Sequence, residues 1–292
     1  MTNEISRSRL LIKFWMIFWF IFFCLRLKIS PWTFFQLNAD YFNKEKGIYS
    51  KLETNQLIPV KWRLRQLVYD GVSEPENYPV FLKPEWGQNS NGIYRANSPQ
   101  DFEKIKAKIA HRALPYLIQE AANEKREFEI YYIRQTVDPN AYGTLSITEV
   151  NNGSESRHPI NGVNNVHTTY TDLTQGFSSA DNQIIWNYVN KIGFFRMARV
   201  CVKADSVADL LKGNFHIVEI NLFTPIPINL LDRNVPWQQK RLFMKTGMLF
   251  LAKNAKAISK NQERKNVFFN KLVMHHKVKS QAPSLNALRN PI

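Results

Sequence analysis

The chain has 292 residues and a formal charge of +15, from 39 Lys and Arg against 24 Asp and Glu. Its 44% hydrophobic and 13% aromatic content excludes a disordered chain. Two cysteines, Cys24 and Cys201, exclude a disulfide scaffold and a Cys-rich zinc site and suit a reducing compartment.

The length allows one or two domains, and the charge lies at the ends. Residues 1–30 hold five basic residues against one acidic, and residues 237–292 hold twelve against Glu263 alone. The segment 31–236 balances 22 against 22, which argues against a nucleic-acid-binding core.

Residues 10–25, LLIKFWMIFWFIFFCL, are apolar apart from Lys13. As a helix they reach roughly 24 Å, short of the ~30 Å hydrocarbon core of a bilayer. Seven aromatic rings favour an interfacial position, and Arg26 and Lys28 follow in place of a signal-peptidase site. The competing reading is a core helix. An all-round apolar surface favours a monotopic or barely spanning anchor.

Residues 31–60 read as a connection punctuated by Pro31, Gly47 and Pro59. Tyr78–Lys83 reads as a strand, followed by the polar loop 85–92 with Gly87 and Gly92. Ser98–Ala113 reads as a helix with Ser98 as N-cap and Pro99 at the first position; Phe102, Ile105 and Ile109 lie on one face. Tyr116–Glu120 and Glu127–Arg134 read as strands. Residues 138–180 read as loops and short strands, and Asn182–Ile192 as a helix. Met197–Lys203 and Phe215–Asn221 form a strand pair around a helical turn closed by Gly213. Residues 237–279 read as basic and helical, with a disordered tail from Gln281.

The chain has no GxxxxGK[ST], GxGxxG or GxSxG motif, and its six His show no metal-ligand spacing. What remains is an ordered series. Lys83 ends a strand before a glycine-containing loop, where a point charge and loop N–H groups suit phosphate. Gln119 and Glu120 end another strand, and Glu127 and Glu129 follow. Glu219 and Asn221 share one strand face, a hard-oxygen pair suited to Mg²⁺.

That series resembles the ATP-grasp superfamily of carboxylate–amine ligases, which includes D-alanine–D-alanine ligase. YPVFLKPEWGQNSNGIYR, LPYLIQEAANEKREFEIYYIR and RVCVKADSVADLLKGNFHIVEINLFTPIP carry the resemblance, clearest over Tyr78–Asp232. It is closer to a subgroup with an N-terminal aromatic, membrane-like leader, in which GIYSKLETNQLIP supplies an early Lys, here Lys51.

The resemblance implies an α+β, ATP-grasp fold: two α+β lobes with nucleotide between them, an N-terminal apolar helix and basic C-terminal helices. It implies a membrane-associated segment at 1–30, a connecting region or reduced N-terminal lobe at 31–77, the core at 78–236, and a basic helical segment with a flexible tail at 237–292. It further implies ATP and Mg²⁺ as cofactors. Lys51 and Lys83 would neutralise phosphates, with the loop 87–92 closing over them. Gln119 and Glu120 would sit at the adenine hinge, and Glu127 or Glu129 on the ribose. Glu219 and Asn221 would bind Mg²⁺, and Arg199 would stabilise the acyl-phosphate or the tetrahedral state.

The chain departs from the family pattern at Cys201, where the family has Asp and a thiol is a poor ligand for a hard cation. Further departures are Asn89, Ser90 and Asn91 in the glycine loop, Ile226 in the post-metal turn, and NGVN at 161–164 without an acidic residue. They open the alternative of a weakened or inactive scaffold. The basic C-terminal segment, interleaved with apolar residues, suits anionic lipid, at ~1 kcal/mol per basic residue near the surface. The N-terminal helix ranks lipid above nucleic acid as the partner. The expected activity joins an unidentified carboxylate to an amine at the cytoplasmic face of a membrane, the bacterial inner membrane for preference.

Overall fold

The computed structural model describes residues 2–87, 90–110, 115–138, 140–154, 156, 158–162, 165 and 167–280. Its framework is two antiparallel sheets, as an α+β chain requires. The first has the order β1 (Gln66–Val68), β4 (Tyr116–Glu120), β2 (Val80–Pro84), β3 (Tyr94–Ala96). The second has the order β7 (Thr168–Asp172), β6 (Tyr142–Asn152), β5 (Arg126–Arg134), β8 (Met197–Ala204), β9 (His216–Asn221).

Helix α3 (Pro99–Ile109), third in chain order, covers the first sheet. The Ser98 hydroxyl caps it, accepting from the Asp101 N–H at 3.2 Å, and Pro99 stands at the first turn. Phe102, Ile105 and Ile109 bury against Val80, Leu82 and Ile118. The expected extension through residues 111–113 lies outside the described residues.

One face of the second sheet is apolar. Phe128, Ile130, Tyr132, Val200 and Val202 pack on Ile185, Trp186 and Val189 of α4 (Ser179–Val189) and Leu210 of α5 (Val207–Lys212). Gly213 ends α5 in the left-handed region at φ +79°. Helix α4 begins earlier than the apolar pattern indicates, because Ser178 and Asp181 form a reciprocal capping box. The polar stretch 138–180 contains β6, eleven residues long, in place of short strands only. Its polar composition conceals an inner strand flanked by β5 and β7.

The opposite face is covered over half its length. Tyr131, Ile133 and Met197 pack on Met248, Leu251 and Ala252 of α6 (Trp237–Lys256) and on Phe20, Phe23 and Cys24 of α1 (Thr2–Arg26). Between Leu10 and Leu25, helix α1 is therefore docked along one stripe and exposes mostly apolar side chains on the rest, Lys13 excepted. Ile12 is buried, whereas Phe14 is 60% and Ile17 59% exposed. The basic C-terminal stretch is two helices, α6 and α7 (Val267–Ser280), and α6 buries its apolar face in the body. The side chains of Lys277 and Lys279 and the tail from Gln281 lie outside the described residues.

The segment between the sheets begins with α2 (Lys51–Gln56), capped by Ser50. It continues through Trp62, which stacks on Phe215 at 4.9 Å and donates Nε1 to the Gly213 carbonyl at 3.0 Å. Arg63 then bridges Ile217 before the chain enters β1. Residues 51–68 are the seam joining the lobes. Trp62→Ala, which removes the largest side chain of that seam from a closed core, is expected to cost about 3–5 kcal/mol. Urea unfolding followed by circular dichroism should show a lower midpoint with an unchanged slope.

Candidate active site

The half of the second sheet's inner face that α1 and α6 leave open carries almost all its charge. Alternation along β5, β8 and β9 brings Glu127, Glu129, Arg199, Cys201, Lys203, Glu219 and Asn221 to one side. The register sets them in rows. Glu129 lies across from Cys201, which lies across from Glu219; in the next row Tyr131, Arg199 and Asn221 stand side by side.

The first sheet closes over this face. Lys83 on β2 is buried and donates to Gln119 Oε1 on β4 at 2.9 Å and to the Val218 carbonyl on β9 at 3.3 Å. Gln119 donates to the same carbonyl at 3.2 Å. Edge strand β9 thus ties the two sheets together through one backbone oxygen. Lys51, at the start of α2, lies 3.4 Å from Glu219 and 3.3 Å from the Pro84 carbonyl.

Buried charges need partners, and Arg199 and Lys203 have carboxylates within reach, whereas Lys83 has only neutral oxygens. Arg199 Nε is 3.1 Å from Glu129, and its Nη1 donates to the Ile226 carbonyl at 3.2 Å. Lys203 is 3.7 Å from Glu127, whose carboxylate accepts from Asn161 at 2.8 Å.

The electrostatics follow from burial and from these neighbours. Burial, helped by Lys51, lowers Lys83 to about 7, against the pull of Glu219. Burial raises Glu129 to about 7, with Glu127 and Glu219 adding to the rise and Arg199 opposing it. Burial also pushes Glu219 up, but Lys51, Lys83 and Arg199 hold it below the usual carboxylate value. Cys201 is driven well up by burial and by the three surrounding carboxylates. It is a neutral thiol at physiological pH.

These groups line a cavity of about 180 Å³ between the sheets, together with Gly87, Ser90, Asn91 and Glu120. The Ser90 hydroxyl donates to the Asn161 carbonyl at 2.5 Å, and Arg95 donates to the His158 carbonyl at 2.6 Å, spanning the opening from lobe to lobe. Gln88 and Asn89 of the expected phosphate loop, and residues 163 and 164 of NGVN, lie outside the described residues. Gly92 stands behind the cavity at φ +75°, where a Cβ would meet the Tyr116 hydroxyl at 2.9 Å. Glu120 turns its carboxylate to the Arg65 N–H at 2.6 Å.

The donor set fits Mg²⁺. Glu219 offers a carboxylate kept ionised, and the Asn221 amide beside it on the strand has no hydrogen bond within the protein among the described residues. A protonated thiol at Cys201 adds no hard donor, but it stands between two carboxylates, Glu129 and Glu219. Glu127, Glu129 and Cys201 bring potential ligand atoms within 4.8 Å of one another, so a Glu129 oxygen stands beside the thiol.

Two contributors were not expected. Lys203 was legible, since it continues the alternation of Arg199 and Cys201 along β8. Asn161 gives no sequence signal, yet its amide holds Glu127 and its carbonyl holds Ser90.

No protein-family model matches the chain, and no curated protein does. Among solved structures it is similar to the VanG D-Ala:D-Ser ligase of Enterococcus faecalis, at 12% identity and a TM-score of 0.49, over 75% of this chain and 70% of that one. It is similar also to the D-alanine–D-alanine ligase of Bacillus anthracis, at 8% identity and a TM-score of 0.48, over 71% of this chain and 68% of that one.

The raised Glu129 makes a signed prediction. Between its unfolded value near ~4.5 and about 7, the folded state holds a proton that the unfolded state has released. That contribution to stability is complete below the lower value and is lost as pH rises to the upper one. Glu129→Gln should flatten this part of the stability–pH curve, measured by urea unfolding at pH 4 to 8; an unchanged curve would show that Glu129 ionises normally.

Proposed function

We propose that the chain is an ATP- and Mg²⁺-dependent ligase that joins a carboxylate to an amine through an acyl-phosphate, working at the cytoplasmic face of a membrane. The observation carrying this reading is convergence. Lys51, Lys83, Arg199, Glu219 and Asn221 come from separate stretches of chain and meet in one cleft between two antiparallel sheets. The ordered motifs that resemble ATP-grasp ligases contribute just these residues.

In this reading Lys51 and Lys83 hold the nucleotide phosphates, and Gln119 fixes the Lys83 ammonium. Phosphoryl transfer asks mainly for positioning and charge stabilisation. A carboxylate oxygen attacks the γ-phosphorus, ADP leaves, an amine attacks the acyl carbon, and phosphate departs. Arg199, held from one side by Glu129, presents fixed positive charge to the oxyanion of the second step. Mg²⁺ on Glu219 and Asn221 would neutralise phosphate charge. A cavity of about 180 Å³ is below the ~300–1,000 Å³ usual for ligand sites, so the Ser90–Asn161 and Arg95–His158 bonds must part for nucleotide to enter.

Membrane attachment rests on α1, whose Leu10, Phe14, Phe18 and Leu25 remain exposed while its other stripe is docked. Its apolar stretch Ser8–Arg26 is long enough to cross a bilayer by length and composition, and Arg26 and Lys28 flank it. A helix held along one side by its own protein lies more naturally in the interface than across the bilayer.

Calorimetry with Mg-ATP tests the nucleotide reading. Lys83 sits near 7 without ligand, and phosphate contact returns it to a full cation. Binding at pH 8, compared across buffers of different ionisation enthalpy, should therefore take up protons. Lys83→Met should remove most of that uptake and weaken binding about tenfold to a hundredfold. Glu219→Ala should abolish turnover with the circular dichroism spectrum intact. No heat at millimolar ATP would sink the reading.

Liposome flotation checks the address. Full-length protein should float with phosphatidylglycerol vesicles, and Phe14→Asp combined with Phe18→Asp should leave it in the lipid-free fraction. Flotation unaffected by both charges would show that α1 is not the anchor.

A further inference from the structure

A second cavity, of about 730 Å³, opens beside the cleft and shares Arg199, Asn221 and Ile228 with it. Its walls are of a different kind. Ile17, Phe20 and Ile21 of α1, Phe35, Met248 of α6 and Phe268 of α7 make it largely hydrocarbon and aromatic. The polar exceptions on the helical side are cations: Arg9, Lys13 and Lys271. Lys271 lies 3.5 Å from the centre of the Phe223 ring, and burial together with the nearby Lys13 lowers it to about 8. Among the described residues, no carboxylate lines this cavity.

We infer that the carboxylate substrate of the ligase is a long-chain amphiphile, its apolar body lying in this cavity and its carboxylate reaching Arg199. This inference rests on the ligase reading above and adds the substrate class to it. Three features support the choice of occupant. The cavity is continuous with the residues that would meet an acyl-phosphate. Its volume lies within the range of ~300–1,000 Å³ for sites that bury a small molecule. Its charged lining is uniformly positive, so it suits an anion and disfavours a cationic amphiphile. The same arrangement gives the exposed apolar helix a second use: α1 forms a wall of the cavity on one side and faces its surroundings on the other. An acid partitioned in a bilayer would thus reach the cleft without leaving an apolar environment.

The test uses the full chain in phosphatidylcholine nanodiscs with Mg-ATP, straight-chain acids from butanoate to dodecanoate, and hydroxylamine as the amine. The carboxylate takes the γ-phosphoryl group and ADP leaves. The hydroxylamine nitrogen then attacks the acyl carbon, phosphate leaves, and the nitrogen gives its proton to water. Hydroxamate is the readout. Apparent kcat/KM should climb with chain length, by about threefold to fourfold per methylene over the part of the chain that the cavity covers.

Ile17→Asp or Ile21→Asp should cut the dodecanoate value at least tenfold and leave Mg-ATP binding by calorimetry unchanged. Flotation of each variant with vesicles checks that it stays attached, and dodecanoate uptake by protein-free discs, measured separately, corrects for partition of the acid. Equal rates for butanoate and dodecanoate would overturn the inference. So would dodecanoate activation indifferent to Ile17→Asp and Ile21→Asp, or bound ATP with no acid activated. Failure to bind ATP at all would remove the ligase reading, and this inference with it.

Discussion

Everything in the cleft depends on one constraint: charges taken out of water must neutralise one another where they stand. The inner face of the second sheet satisfies it by alternation across strands as well as along them. Glu129 meets Arg199, Glu127 meets Lys203, and Glu219 meets Lys51 from outside the sheet. The pairs are incomplete in an informative way. Lys83 rests on two neutral oxygens, with Lys51 nearby, and its proton is loosened as a result. A site with cations held partly unpaired is already arranged for an anion, and binding one would relieve the strain that burial imposes on Lys83.

The same constraint explains why the lobes lie where they do. Lys51 and Lys83 gain their partners only when the first sheet sits over β9, so closing the cleft and satisfying its charges are one event. Trp62 and the Arg63–Ile217 bridge hold the seam from the opposite side of β9. Residues 51–68 therefore do more than connect. They place a cleft-lining Lys and a core Trp within a dozen residues of each other.

Much of this was legible in the chain. Helix α3 followed from Ser98, Pro99 and the Phe102, Ile105, Ile109 stripe because local capping and periodicity agree there. The faces of β5, β8 and β9 followed from alternation, which puts Glu219 beside Asn221 whatever the sheet order. What could not be read was non-local. Nothing in residues 138–180 marks β6 as an inner strand, since its polar side chains face the cleft and a covered seam. Asn161 acts through partners 34 and 71 positions away. The start of α4 was missed for a smaller reason: Ser178 and Asp181 extend the helix one turn before its apolar stripe begins.

Cys201 is where sequence and structure pull in different directions, and the register resolves them. Along the sequence the thiol looks like a missing metal ligand, because it offers a hard cation no oxygen. Across the sheet its immediate neighbours are Glu129 and Glu219, so carboxylate oxygens stand on both sides of the thiol. With no metal bound, an Asp at position 201 would add a third carboxylate to that row without a further protein cation to meet it. Burial and carboxylate repulsion already raise Glu129 to about 7 with a neutral thiol between the pair. A charged group there would raise it further and weaken its hold on Arg199. The neutral thiol thus keeps Glu129 and Arg199 usable as a pair. Cys201 is therefore a neutral spacer between two buried carboxylates of one row.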